Sequence, residues 1–468
     1  MAKKLDLNLS VIELFEHQAQ KTPQAIALCS TAATASYIEL NAAANRVARM
    51  LMSLGVGAGD GVGVCLDRGM PMIAAILGVL KLGAFYVPMD VEYPDDRIQY
   101  MAKNAAVKFI FVETNKSALF GQSNIPYNAL EKGVALAKLF SDQVNAPLEL
   151  VDRSCLLDSL IYIIYTSGST GKPKGAGVYH KGFVNLISWY VSEFDMNETD
   201  TLFHMTSPAF DLTQKNIFAP LLVGGKLCLL EGNYYDANKI ADHVECFGVT
   251  RLNCTPSAFS GLVHHADEGR FEQLKTLKTV FLGGEPIQVS RLLSWKNNPF
   301  CQAEVVNSYG PTECTDVCVY YRLGDFTHYL DVGVPIGRPV DNFELYVLDE
   351  HLKPVPDGQI GELCVGGLGV GAGYFGLPDL TREKFVDHPF DAAGGKIYHT
   401  GDSVRWLSSG SLSYLGRIDQ QVKIRGFRIE LGEIERALEN HADIAAAALA
   451  AFPDQTGENR LVSYLVAK

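Results

Sequence analysis

The stretch YTSGSTGKPKG, Tyr165 to Gly175, holds two lysines, three glycines and four Ser/Thr hydroxyls in eleven residues. Glycines lack the Cβ that would keep backbone N–H groups away from an anion, hydroxyls add donors, and lysines add charge. Phosphate binding is the chemistry that uses all three. The Walker pattern requires Gly, four residues and then Gly-Lys-Ser/Thr. Here Pro173 follows Gly171-Lys172, and Thr166 stands where the first glycine would be. Thr166, Ser167, Gly168, Ser169, Thr170, Gly171, Lys172 and Lys174 are therefore candidate ligands in a phosphate loop of another kind. Taken alone, the same composition also suits a flexible polar turn with solvated lysines.

The elements around this loop alternate between strand and helix. Apolar residues on one side predict a helix over 11–18 and another over 41–54, closed by Gly55. Strands are expected at 61–66, 84–90, 107–113 and 160–166, with a helix over 70–83 between the first two. This is the pattern of βαβ units and a parallel sheet. From Asn342 to Gly367 short strands alternate with turns. After Asp419 a ribbon, an amphipathic helix and two strand-like runs, 444–452 and 460–467, form a small α+β unit. The expected fold is α/β: a large N-terminal region of βαβ-type subdomains with a β-rich segment over 1–418, and a partial α+β subdomain over 419–468.

Bulk properties narrow the class. The chain has 468 residues, 47% hydrophobic and 20% charged, enough for more than one core. Its net charge of −13, from 40 basic and 53 acidic residues, argues against a general nucleic-acid binder. Ten cysteines lie between Cys29 and Cys364 without a CxxC pair, which reads as reduced, buried thiols and not as a disulfide framework or a zinc site. There is no apolar segment of signal-peptide type at the N-terminus and no apolar run of about 18 residues, so a cytoplasmic enzyme without a membrane partner is expected.

YTSGSTGKPKG closely resembles the phosphate-binding signature of adenylate-forming enzymes, which include acyl-CoA synthetases, luciferases and the adenylation domains of nonribosomal peptide synthetases. Five further segments resemble the family's motifs in the family's order: LKLGAFYVPMD (Leu80–Asp90), NSYGPTE (Asn307–Glu313), GELCVGGLGVGAGYF (Gly361–Phe375), YHTGD (Tyr398–Asp402) and GRIDQQVKIRGFRIELGEIE (Gly416–Glu435). The last resembles the peptide-synthetase branch. The resemblance implies that a carboxylate is joined to the α-phosphate of ATP with release of pyrophosphate. It puts the opening loop at the β- and γ-phosphates, Asn307 and Tyr309 at adenine with Ser308 and Gly310 beside them, Thr312 at the α-phosphate, and Glu313 on Mg²⁺. It puts Asp402 on the ribose hydroxyls, assisted by Arg417, and makes Asp419 a hinge.

FDLT (Phe210–Thr213) matches the motif whose Asp holds a substrate α-ammonium, so Asp211 argues for an amino acid. By the same resemblance Leu212, Lys215, Asn253, Phe281, Gly283, Ser308, Asp316 and Val317 line the side-chain pocket. Lys215 and Asp316 cannot both be buried unpaired without a cost of several kcal/mol each, so they pair with each other or meet a polar substrate. The implied partners are the amino acid, a peptidyl carrier domain bearing phosphopantetheine, and, compatibly, a small helper protein of the MbtH kind. The family's last motif carries a catalytic lysine, and no such segment follows RLVSYLVAK. A shortened chain with weak adenylate formation is the expectation, unless Lys423 substitutes in another domain orientation. The competing readings are an acyl- or aryl-CoA ligase and a non-catalytic nucleotide-binding module.

Overall fold

The structure, a computed structural model, describes residues 4–144, 156–168, 172–230, 232, 235–267, 269–391, 394–419, 421–424, 426–453 and 459–468. Ser169, Thr170 and Gly171 of the candidate phosphate loop lie outside the described residues.

Three large sheets carry the chain. A seven-stranded sheet runs in the order Gly373–Tyr374, Lys174–Tyr179, Leu160–Thr166, Phe85–Pro88, Gly61–Cys65, Phe109–Glu113, Tyr127–Leu130. Its strands from Leu160–Thr166 onward are parallel, joined through helices such as Met70–Lys81. A nine-stranded sheet has a parallel centre, Glu304–Tyr309, Thr279–Gly283, Arg251–Cys254, Thr201–His204, Lys226–Leu229 and Ile26–Cys29, with antiparallel edges. A five-stranded antiparallel sheet is built from 343–417. The alternating pattern therefore yields the expected α/β architecture, because strands buried on both faces need helical crossovers.

Local chemistry sets the boundaries. The helix expected from Asn41 begins at Tyr37, since Ser36 and Glu39 form a capping box: Glu39 N donates to Ser36 Oγ, and Ser36 N donates to Glu39 Oε2 at 2.8 Å. Ser10 and Glu13 do the same for the helix Val11–Lys21. The helices Tyr37–Ser53 and Met70–Lys81 touch through Gly78, where a Cβ would lie 2.4 Å from Val47 Cγ1 and 3.0 Å from the Ala44 carbonyl.

Beyond Asp419 come a ribbon of Gln421–Ile424 with Phe427–Glu430, a helix Leu431–Glu439, and a hairpin of Ile444–Pro453 with Asn459–Ala467. The ribbon leans over the C-terminal ends of the parallel strands. Phe427 packs on Phe210 at 5.0 Å between ring centroids, and Gly426 N donates to Glu285 Oε1 at 2.7 Å.

Gly78→Ala overpacks the two-helix contact. It is expected to cost about 1–3 kcal/mol, read as a lower urea midpoint with unchanged slope; an unchanged midpoint contradicts the contact.

Candidate functional site

One cleft gathers residues from all parts of the chain. Its walls include Thr166, Ser167, Asp211, Leu212, Gly283, Ser308, Gly310, Thr312, Asp316, Val317, Asp402 and Arg417 from strand ends, loops and the start of a helix before Asp419, and Lys423, Phe427 and Arg428 from the ribbon. It sits at the C-terminal ends of Leu160–Thr166, Thr279–Gly283 and Glu304–Tyr309, where parallel sheets leave a crevice.

The loop after Leu160–Thr166 turns back as the strand Lys174–Tyr179, with Thr166 opposite Lys174. Thr166 Oγ1 is buried and has no hydrogen-bond partner among the described residues. Ser167 Oγ donates to the Arg428 carbonyl at 2.7 Å, and Gly168 N to Glu433 Oε2 at 3.3 Å. Lys172 lies over the Tyr100 ring, 5.9 Å from its centroid. Lys174 points inward instead: its Nζ is 3.4 Å from the Tyr374 hydroxyl and 3.7 Å from Glu313 Oε1. Burial, with Arg428 adding repulsion, brings the Lys174 amine down to about 8.

Glu313 is the middle residue of the short turn Thr312–Cys314 and is fully buried. Tyr374 donates to its Oε1 at 2.6 Å, and Arg428 Nη1 reaches both oxygens at 3.2 and 3.1 Å. Burial opposes its charge, but Arg428, Lys174 and the Tyr374 hydroxyl outweigh it and hold the carboxyl at about 2. Arg428 and Tyr374 stand inside stretches already singled out, FRIELGEIE and GVGAGYF, yet residue type alone assigned neither a role. An inward arginine opposite a buried glutamate is set by how the ribbon docks.

Asp402 is presented by a bulge. Glu362 pairs with Ser403 but Cys364 with His399, so Lys396–Trp406 carries two extra residues opposite Leu363. Gly401 has φ +70°, which a side chain rarely tolerates. Such a bulge re-aims the next side chain: Asp402 takes the Tyr309 hydroxyl on Oδ2 and Arg417 Nη1 on Oδ1, the latter at 3.0 Å. Arg417 also bonds Asp419, its Nε 2.9 Å from Oδ1. Lys423 Nζ lies 5.7 Å from the Tyr309 ring centroid, and burial lowers its pKa although Asp402 pulls the other way. Asn307 is turned away: its Nδ2 donates to the Pro335 carbonyl at 2.9 Å, and it is not in the cleft wall.

Asp211 opens the helix Asp211–Val223. Its Oδ1 accepts from Leu212 N at 2.7 Å and its Oδ2 from Thr312 Oγ1 at 2.5 Å. Lys215 and Asp316 resolve the alternative left open above by pairing at 2.5 Å, both buried. Burial raises the Asp316 carboxyl to about 7 despite Lys215, with Asp211 adding repulsion. Asn253 and Phe281 lie behind the cleft wall: Asn253 Nδ2 donates to Asn216 Oδ1 at 3.2 Å, and Phe281 packs on Tyr190 and Phe194 at 4.7 and 4.6 Å.

A family model described as AMP-binding enzyme matches residues 15–375. A dimodular nonribosomal peptide synthase of Bacillus subtilis (strain 168) is 39% identical over 98% of this chain and 19% of its own length. Tyrocidine synthase 1 of Brevibacillus parabrevis is 36% identical over 98% of this chain and 40% of its own. The chain thus spans well under half the length of these relatives. Among solved structures, the nonribosomal peptide synthetase FmoA3 in its alpha-methyl-L-serine-AMP bound form aligns with TM-score 0.80 and 28% identity, covering 88% of this chain and 46% of that one. An artificially fused adenylation–PCP di-domain, NpsA-ThdA from Klebsiella oxytoca, shares the fold with TM-score 0.84 and 24% identity, covering 100% and 90%. Among the described residues no helix is long and apolar enough to cross a membrane.

A carboxyl held at about 2 instead of its ordinary 4.5 stabilises the fold above the unfolded-state value, and that stability is lost as pH falls toward 2. Glu313→Gln is expected to remove roughly 3 kcal/mol at neutral pH and to flatten the acid limb of Tm against pH. Superimposable acid limbs in the two proteins contradict the assignment.

Proposed function

The chain belongs to the AMP-binding enzyme family, and from that premise we propose that it activates a polar α-amino acid with ATP. The carboxylate oxygen forms a bond to the α-phosphorus, the bond from that phosphorus to the β-phosphate bridge breaks, and pyrophosphate leaves. The observation that carries this reading is the shared cleft whose wall holds Thr166, Asp211 and Asp402 together.

Each residue has a role fitted to its surroundings. Asp211, fixed by Leu212 N and Thr312, presents an anion to the substrate ammonium. Lys172 and Lys174 neutralise phosphate charge and the Thr166 and Ser167 hydroxyls donate to phosphate oxygens; Ser169, Thr170 and Gly171 are assigned the same role by the motif they share. Asp402 takes the ribose hydroxyls, held by Arg417 and Tyr309. Neutralising charge where it develops, and holding the carboxylate in line, are what an adenylate transition state requires of a protein. Lys423, in the cleft wall, supplies a cation near the reacting groups. Ser308 and the Lys215–Asp316 pair give the side-chain pocket its polarity, and Leu212, Gly283 and Val317 complete its wall. The residues around Glu313 do not fit Mg²⁺ in this arrangement, because both carboxylate oxygens take the Arg428 guanidinium. Magnesium at Glu313 therefore belongs to the reading only with the ribbon withdrawn, and no step here runs through it.

Residues 1–418 would form the activating core and 419–468 a mobile subdomain turning at Asp419. The relatives' names, and the aminoacyl-AMP in the FmoA3 structure, support an amino acid as substrate and a phosphopantetheine-bearing carrier domain as acceptor. A helper protein of the MbtH kind fits the same setting, and a cytoplasmic location fits the need for ATP.

Pyrophosphate exchange across the proteinogenic amino acids tests the reading. Polar substrates are expected to lead, and Asp211→Ala to lose at least about 2 kcal/mol of transition-state binding. Exchange led by Leu or Val, or by acids without an amine, overturns it. Removing one partner of the buried pair, Lys215→Leu, is expected to cost about 3–5 kcal/mol of stability, largely restored by adding Asp316→Leu; the double variant should turn toward apolar substrates. Because Lys174 loses its proton through about 8, KM for ATP is expected to rise above that pH, and this rise should vanish in Lys174→Arg.

A further inference from the structure

We propose that Glu362, Cys364 and His399 form a binding site for a soft divalent cation of the zinc class. They belong to the five-stranded sheet, outside the cleft described above. Cys364 and His399 are direct cross-strand partners, and Glu362 stands two residues before Cys364, on the same face of its strand. The two extra residues that swing Asp402 into the cleft also bring the Glu362 carboxylate back onto His399.

The donor atoms are already gathered. Cys364 Sγ is 3.6 Å from His399 Nδ1, which is 3.0 Å from Glu362 Oε2. All three lie within 4.8 Å of one another. Tetrahedral zinc with ordinary bond lengths holds S, N and O ligands about 3.4–3.6 Å apart, so the sulfur–nitrogen spacing already fits and side-chain rotation has to adjust the carboxylate. The thiol is buried, while the His399 and Glu362 side chains are 17% and 24% exposed, leaving the outward side to a water as fourth ligand. The other Glu362 oxygen accepts from Gly401 N at 2.8 Å, the kind of outer contact that orients a ligating carboxylate. A thiol, an imidazole and one carboxylate suit zinc or cobalt and not magnesium or calcium.

An ordinary Glu362–His399 ion pair accounts for two of the three groups. It leaves a buried thiol facing the same ring nitrogen as the carboxylate. Binding forms a metal–sulfur bond, releases the thiol proton to solvent, and takes the imidazole through neutral Nδ1. The spacing of the cysteines indicated no zinc site, because these ligands come from strands far apart in sequence.

The test uses the untagged, metal-stripped full chain titrated with Co²⁺ alone. The expected result is a thiolate-to-cobalt charge-transfer band saturating at one equivalent, displaced by Zn²⁺. Cys364→Ser should abolish the band, and His399→Asn and Glu362→Gln should each weaken binding by about tenfold or more. If Cys364→Ser does not fold, His399→Asn, at a partly exposed position, carries the test. No band in the parent chain, or a band of unchanged strength and affinity in His399→Asn, overturns the site and leaves an ion pair only.

Discussion

A fully buried carboxylate governs the arrangement of the site. Glu313 has no exposed surface, and an isolated charge there would carry a penalty of several kcal/mol. Three groups remove that penalty: Lys174, which follows the phosphate loop, the Tyr374 hydroxyl, and Arg428 on the ribbon. The ribbon's position and the charge of the site are therefore one variable. With Arg428 in place, the space in front of Glu313 is filled by a cation of the protein's own.

The same coupling explains why the loop residues are engaged by the segment after Asp419. Ser167 bonds the Arg428 backbone, Gly168 bonds Glu433, and Phe427 covers Phe210, one residue before Asp211. The ribbon thus reaches both the phosphate side and the amine side. Thr312 joins those sides from beneath by donating to Asp211, so the residue next to Glu313 fixes the proposed amine anchor. Burial and neighbouring charges there displace Glu313, Lys174 and Asp316 from their solution behaviour.

The bulge in Lys396–Trp406 shows how one backbone irregularity can serve two faces. Toward the cleft it presents Asp402 to Tyr309 and Arg417; toward the outer face it folds Glu362 against His399 and Gly401. A regular ladder would have pointed successive residues alternately to the two faces and done neither.

How far the residues alone reach is visible element by element. The strand Leu160–Thr166 was legible to the residue, because a run of apolar side chains bounded by a Gly-rich turn has few other solutions. The helix start at Tyr37 was readable in the Ser36–Glu39 spacing but masked by the weaker apolar periodicity of its first turn. Motif order pointed to the family, and Thr166, Ser167, Asp211, Thr312 and Asp402 do converge on one cleft. What local pattern could not decide was direction and partnership: that Asn307 turns to Pro335, that Phe281 and Asn253 fall behind the cleft wall, that Lys215 pairs with Asp316, and that Arg428 lies on Glu313. Sequence determines what each short segment can become, through sterics and hydrogen bonding among near neighbours. Which buried charge meets which is decided only when distant segments pack, because desolvation penalises every pairing except those the closed tertiary structure can complete.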